Sequence, residues 1–433
     1  MSESMLVGFI GIGLLLVLMF TRMPVAYVMA LVGFLGFGYL SNFQASLTLL
    51  SRDIYSVFSS DSLTLIPMFV FMGYIAFYAG TSSRLYDVAN KFLGRITGGL
   101  AMATVGACSA FGAICGSATA TAATMGTIAM PEMKRYNYGP MLSTGAVAAG
   151  GSLGSLMPPS VVLIVYGIAT QQSIGKLFIA AIIPAIIITI FFLFAIIIYC
   201  RFYPAQGPPG ERFSFKEMLG SLFELWETML VFLCVMGGMF FGVFTPTKAG
   251  AVGSFSILVI VLIQKKLSWE DLWHAINETL TISCMVLMLI AGATLFGHFL
   301  ALSRIPLEFA GLVEGLNLPP WAIMAMICLV YLIGGCFIDS LALIMLTIPV
   351  FYPIVINLGY DPIWFGIIIV LISQMGIITP PVGVNVYVVS AISGVRLTTV
   401  FKGVMPFLIA LIIGTGLFIT WPEIVTFLPG FIN

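Results

Sequence analysis

Residues able to do chemistry are few in this chain, and they cluster at helix-breaking points inside apolar sequence. The stretch "CGSAT", residues 115–119, carries a glycine beside two hydroxyls. Gly116 permits a tight turn that exposes backbone carbonyls, and Ser117 and Thr119 add oxygen donors. The stretch "FIDSLA", residues 337–342, places Asp339 and Ser340 in a comparable setting. Asp339 is the only charged residue between Glu314 and Asp361. A carboxylate at bilayer depth costs on the order of 2.5–3.5 kcal/mol to insert, which marks it as a functional candidate. Two Pro-Pro segments, "GSLMPPS" at 154–160 and "GIITPPV" at 376–382, complete the set. Proline lacks an N–H, and it drives the residue before it out of helical geometry. Both segments should therefore unwind and leave carbonyls unpaired. In hydrocarbon such groups must face protein, water or an ion. A cation held by carbonyls and hydroxyls satisfies them.

The ligand types point to sodium. Serine, threonine, one aspartate and carbonyls are hard oxygen donors that mostly do not titrate. Residues 96–131 and 136–175 contain no Asp, Glu, Lys, Arg or His, so a proton relay through the first site is implausible. Ser160 and Asn385 lie just beyond the Pro-Pro pairs, where each could donate to a substrate carboxylate or simply cap the following helix. Arg304 could attract an anion or snorkel to the interface. His298, alone in an apolar run, reads as a hydrogen-bonded core residue. Helix N-termini after the turns and breaks favour an anionic substrate held between the two turns.

These positions must be held by a membrane fold. Of 433 residues, 60% are hydrophobic and 8% charged, against about 25% charged in soluble domains. The apolar runs are long and do not alternate, which excludes a β-barrel. Zero net charge offers no footprint for nucleic acid. The seven cysteines form no CxxC pair and read as small buried hydrophobes. No Lys or Arg precedes the first apolar run, so the N-terminus reads as a retained span rather than a cleaved signal. No nucleophile–base arrangement or Walker motif stands out, so neither an enzyme nor an ATP-driven pump is expected.

Single crossings are expected near 5–20, 24–41, 63–80, 177–200, 228–244, 249–263, 279–302 and 403–420. The run near 97–130 reads as a re-entrant hairpin or two short crossings, an even number either way, with a counterpart hairpin near 321–357, and those near 141–170 and 363–393 read as broken helices. An internal repeat relates the halves. "FGAICGS" at 111–117 aligns with "IGGCFID" at 333–339, and "GSLMPPS" with "GIITPPV", both at an offset of 222. At that offset Asp339 replaces Ser117; a one-residue shift would match Ser340 instead. The division expected is a first repeat over 1–200, a Pro/Gly-rich linker with a short amphipathic helix over 201–224, and a second repeat over 225–433. An odd number of crossings in the first repeat inverts the second. Inverted repeats with broken helices are the plan of secondary transporters. Lys91, Arg95, Lys134 and Arg135 flank the first hairpin and favour cytoplasmic ends.

"GAICGSATATAATMGTIAMPEM", "GGSLGSLMPPSVVLIVYG", "FIDSLALIMLTIPVFYPI" and "MGIITPPVGVNVYV" resemble, in order, the large membrane subunit of TRAP (tripartite ATP-independent periplasmic) transporters. The resemblance covers nearly the whole chain. It implies an elevator-type transporter for sodium-driven uptake of an organic acid, such as sialic acid or a C4-dicarboxylate, across a bacterial inner membrane. It implies two partners, a small four-helix membrane subunit, expected as a separate polypeptide, and a periplasmic substrate-binding protein. It also implies one sodium site at Gly116, Ser117, Gly154 and Met157, and another at Asp339, Ser340, Gly376 and Thr379. A stand-alone sodium–dicarboxylate symporter, working without a binding protein, is the competing reading. On the sodium reading, Ser117→Ala and Asp339→Ala reduce sodium-dependent uptake into proteoliposomes more than they reduce membrane abundance. Unchanged sodium dependence in both variants refutes the assignment.

Overall fold

The computed structural model describes residues 3–21, 23–315 and 318–431, with backbone only at 310 and 312–315. Among them there is no strand; the chain is an all-α polytopic membrane protein. The first half runs α1 (Glu3–Met19), α2 (Val25–Leu40), α3 (Phe43–Phe58), α4 (Leu65–Tyr78), α5 (Thr81–Leu93), α6 (Gly99–Cys115), α7 (Ala118–Arg135), α8 (Pro140–Ser152), α9 (Val161–Ala169) and α10 (Ile174–Phe202). The second runs α11 (Phe215–Leu222), α12 (Trp226–Phe240), α13 (Pro246–Ile263), α14 (Trp269–Leu302), α15 (Ile305–Gly315), α16 (Pro320–Gly335), α17 (Ser340–Asn357), α18 (Pro362–Gly376), α19 (Val384–Ser393) and α20 (Leu397–Thr420).

The helix starts recur at nearly constant spacing. Gly99 and Pro320, Ala118 and Ser340, Pro140 and Pro362, Val161 and Val384, and Ile174 and Leu397 open equivalent helices 221–223 residues apart. α6–α7 and α16–α17 are the two hairpins; α8–α9 and α18–α19 are the two broken helices. The equivalent helices α10 and α20 lie side by side and run in opposite directions. Phe192 meets Phe407 edge to face, and a side chain at Gly414 would strike Ile188. The repeats are therefore inverted.

Two bodies of helices result. α1–α4 pack with α12–α14, and the hairpins and broken helices pack with α10 and α20. In the second body each repeat grips the other. α7 packs on α19, and α17 packs on α9. Tyr166 of α9 donates to the Pro362 carbonyl of α18 at 2.5 Å, and Trp364 Nε1 of α18 to the Phe418 carbonyl of α20 at 2.9 Å. Small residues set the closest approach. A Cβ on Gly145 of α8 would overlap the Gly403 carbonyl of α20.

Two elements depart from the crossings read in the sequence. The run near 279–302 is the C-terminal part of α14, a 34-residue helix about 51 Å long, well beyond a ~30 Å hydrocarbon core. α3 is amphipathic and does not read as a span. Its buried Asp53 lies 3.4 Å from Nε2 of His298 on α14, but the His298 side chain is 44% exposed, so it sits at the surface beside Asp53 rather than in the core as the sequence suggested. A second polar tie joins α5 to α12. Glu227 of α12, nearly buried, receives Arg84 of α5 through both carboxylate oxygens at 3.1 Å and Lys266, just after α13, at 2.8 Å. In the stretch before α12, Ser214 and Glu217 form a reciprocal capping box that starts α11 in the expected linker.

Gly145→Val should lower the thermal unfolding midpoint in detergent, since overpacking costs ~1–3 kcal/mol. Gly416→Ala, where a Cβ meets nothing within 4 Å, should leave it unchanged. Equal midpoints for both variants would mean that α8 and α20 do not meet backbone to backbone.

Candidate functional site

Each hairpin tip is built to expose backbone. In the first, α6 ends at Cys115 and Gly116 turns the chain at φ +65°. Ser117 then caps α7, its Oγ accepting from Ala120 N at 3.4 Å and lying 3.4 Å from Thr119 Oγ1. In the second, Asp339 caps α17, with Oδ2 accepting from Leu341 N at 3.0 Å. Asp339, not Ser340, is thus the counterpart of Ser117. Capping occupies one carboxylate oxygen and leaves the exposed side chain free to do more.

Each break lies against its own tip. α8 ends at Ser152, a 3-10 turn covers Leu153–Ser155, and α9 begins at Val161. α18 ends at Gly376 and α19 begins at Val384. Both breaks contain a cis Pro-Pro bond, Pro158–Pro159 and Pro380–Pro381. The contacts are backbone to backbone. A Cβ on Gly116 would stand 2.6 Å from the Pro159 carbonyl, and one on Gly154 would stand 2.5 Å from the Ser117 carbonyl. In the second half a Cβ on Gly376 would overlap Gly335, and Gly383 N donates to the Cys336 carbonyl at 3.3 Å. Glycine is required at these positions because the two chains touch there.

The structure therefore brings Gly116, Ser117 and Gly154 together at one junction, with half-buried Met157 in the same break. It brings Gly376 against the second hairpin, with Asp339 and Ser340 at its tip and Thr379 in the break. Thr379 Oγ1 donates to the Met375 carbonyl at 2.6 Å and keeps its lone pairs.

Three residues sit otherwise than a substrate contact requires. Ser160 is fully buried; it caps α9 by accepting from Leu163 N at 3.4 Å and donates to the Ser155 carbonyl at 2.5 Å. Asn385, also fully buried, does not cap α19. Its Nδ2 donates to the Ala148 carbonyl of α8 at 3.1 Å, tying one repeat to the other. Arg304 is exposed just beyond α14 and lines neither cavity described below.

Sequence reading missed Gln374. It lies two residues before Gly376, is 1% exposed, and neither its Oε1 nor its Nε2 has a hydrogen-bond partner among the described residues. An amide in "VLISQMG" was the available signal. Buried polar atoms without partners concentrate at these junctions. Thr121 Oγ1 and Ser155 Oγ lie at the first; Ser340 Oγ, both Gln374 atoms and Asn385 Oδ1 lie at the second. Each is costly unless something else binds it.

Two of the cavities between the helix bodies lie beside α14. One, ≈ 450 Å³, lies between α4, α14 and the first tip, with Ser117, Thr119, Thr124, Tyr74 and Glu278 among its polar lining. Tyr74 donates to Glu278 Oε2 at 3.5 Å. The other, ≈ 500 Å³, lies between α14, α9 and α17. Their linings include repeat-related pairs, Val70 with Thr294, Gly73 with Gly297, Ala123 with Met345, and Val388 with Val165. The first cavity reaches its hairpin tip. The second stops short of Asp339, so the molecule is asymmetric about its repeat axis.

The architecture recurs in solved transporters. The Alcanivorax borkumensis YdaH transporter superposes with a TM-score of 0.59 at 14% identity, covering 89% of this chain and 90% of that one. Sequence relatives are nearer. The large permease protein DctM of the C4-dicarboxylate TRAP transporter of Pseudomonas aeruginosa is 36% identical, over 84% of this chain and 85% of that protein. The large permease protein SiaM of the sialic acid TRAP transporter of Vibrio cholerae is 31% identical, over 95% and 96%. Residues 12–424 match the family model for the DctM component of tripartite ATP-independent periplasmic transporters, and the chain belongs to that family.

Proposed function

We propose that this chain is the sodium-coupled permease of a three-part uptake system in a bacterial inner membrane. An organic acid reaches it from a periplasmic binding protein, and a small four-helix membrane subunit completes the assembly. The observation that carries the sodium reading is the gathering of unpartnered, buried polar atoms at two junctions in otherwise apolar helices. Neutral oxygens suit an alkali cation. Among the described residues no group of three His, Cys, Asp or Glu side chains could hold a transition metal.

The substrate's carboxylate sits at the first tip, where the N-terminus of α7 and the hydroxyls of Ser117 and Thr119 meet the ≈ 450 Å³ cavity. Its identity among organic acids is set before it reaches this chain, by the binding protein. The relatives named for C4-dicarboxylates and for sialic acid share this fold with different cargo.

Movement follows from the two bodies. The hairpins and broken helices form a transport unit that slides as an elevator against α1–α4 and α12–α14. Two cavities at repeat-related positions on that interface support this, since sliding exchanges which one reaches its tip. At about 100 mV each inward charge contributes ~2.3 kcal/mol, and a tenfold gradient adds ~1.4 kcal/mol. Two sodium ions supply roughly 7 kcal/mol before the substrate's charge is subtracted.

Basic residues set the orientation. The end of the transport unit where Gly98 N bonds the Gly207 carbonyl and Gly139 N bonds the Gln206 carbonyl carries Arg95, Lys134, Arg135, Arg201 and Lys402. That end faces the cytoplasm.

Sodium should raise the unfolding temperature of the purified chain where equimolar potassium does not, and Ser155→Ala and Gln374→Leu should each diminish the shift. An identical response to both cations sinks the sodium assignment. In a cysteine-free background, single cysteines at 119 and 294 should label from opposite sides with a membrane-impermeant thiol reagent. Sodium should change the two rates in opposite senses. Rates that rise or fall together would rule out the elevator.

A further inference from the structure

A further opening lies on the outer face of the transport unit. α10 and α20 run antiparallel there and leave a groove of ≈ 580 Å³ between them. One wall is Phe194, Ile198 and Phe202, and the other is Met405, Ile409 and Ile413. All six are at least 40% exposed. The small residues Ala195 and Ala410 line it as well, which keeps it open between the larger side chains. One end is polar. Tyr199 and Tyr203, rings 5.3 Å apart, stand there with Lys402.

The dimensions select the occupant. Residues 191–203 of the α10 wall cover about 18 Å at 1.5 Å per residue. That is close to one leaflet of a ~30 Å core and too short for a partner's spanning helix. The polar end selects its headgroup. Lys402 is exposed, and neither it nor Arg201 on the neighbouring turn pairs with an acidic side chain among the described residues. No Asp or Glu lines the groove. Tyrosines belong at headgroup level. This end lies level with Gly98, three residues after Arg95, and with the start of α8, five residues after Arg135. A Cβ on Gly98 would touch Cys200 of α10, and one on Gly403 would touch Gly145 of α8. Anionic lipids give such a basic rim its attraction.

We propose that the α10–α20 groove is a binding site for one acyl chain of an anionic glycerophospholipid, whose phosphate is held at Lys402 with Tyr203. The site joins the last helices of the two repeats, so the bound lipid travels with the transport unit. The proposal does not depend on the identity of the transported solute.

The test is native mass spectrometry of the full chain, purified in detergent and titrated with dioleoylphosphatidylglycerol or dioleoylphosphatidylcholine. One phosphatidylglycerol adduct should survive activation that strips phosphatidylcholine. Lys402→Gln should weaken that adduct about fivefold, the effect of one cation at an anionic headgroup, and Lys402→Arg should restore it. Ala195→Phe, which fills the groove, should remove it. Equal retention of the two lipids, or an adduct untouched by both Lys402→Gln and Ala195→Phe, overturns the proposal. So does displacement of the adduct by a co-purified membrane protein, which would make the groove a helix–helix interface.

Discussion

A backbone that leaves helical geometry inside hydrocarbon must find partners within the protein, because no water is there to supply them. In this molecule two hairpin turns and two proline breaks carry that cost, and each turn is laid against a break. Glycine makes the meeting possible. At Gly116, Gly154 and Gly376 a side chain would collide with the opposing backbone. Some of the freed groups satisfy one another, as Gly383 N does with the Cys336 carbonyl. Hydroxyl and amide groups around them, among them Ser155, Ser340 and Gln374, stay unpaired.

The two halves share this plan and differ in chemistry. The first tip is capped by a neutral hydroxyl and the second by a carboxylate, so only the second places a formal charge beside its junction. The first break ends in a capping serine. The second ends in Gly383 at φ +61°, with Asn385 released to hold α8 instead. The two junctions are thus unequal, one beside a carboxylate and one lined by hydroxyls and carbonyls alone. Cross-gripping keeps them aligned. α7 packs on α19 and α17 on α9, so each junction is braced by a helix of the other repeat.

Charged groups outside the junctions serve position. Glu227 of α12 gathers Arg84 of α5 and Lys266 after α13, and Asp53 stands beside His298 between α3 and α14. A buried charge left without its partner is costly, so the Glu227 cluster helps specify how α5 seats against the spans. α3 escaped notice as an element because its polar face dilutes its hydropathy, and only its packing on α2 and α14 makes it part of the membrane body.

Much of this was legible from residues 1 to 433 read in order. Run length and composition determined an all-helical membrane fold. The offset of 222 determined which segments correspond, and glycine and proline determined where helices stop, because those effects are local to a few bonds. Tertiary structure decided the rest. Ser160 and Asn385 look alike beside their prolines, yet one caps a helix and the other crosses to the opposite repeat. Asp339 and Ser340 were interchangeable until the start of α17 settled which is the cap. Gln374 gained meaning when burial left its amide unpaired. Those outcomes depend on which oxygen or nitrogen a side chain reaches across space, and a linear pattern of hydrophobicity does not encode that distance.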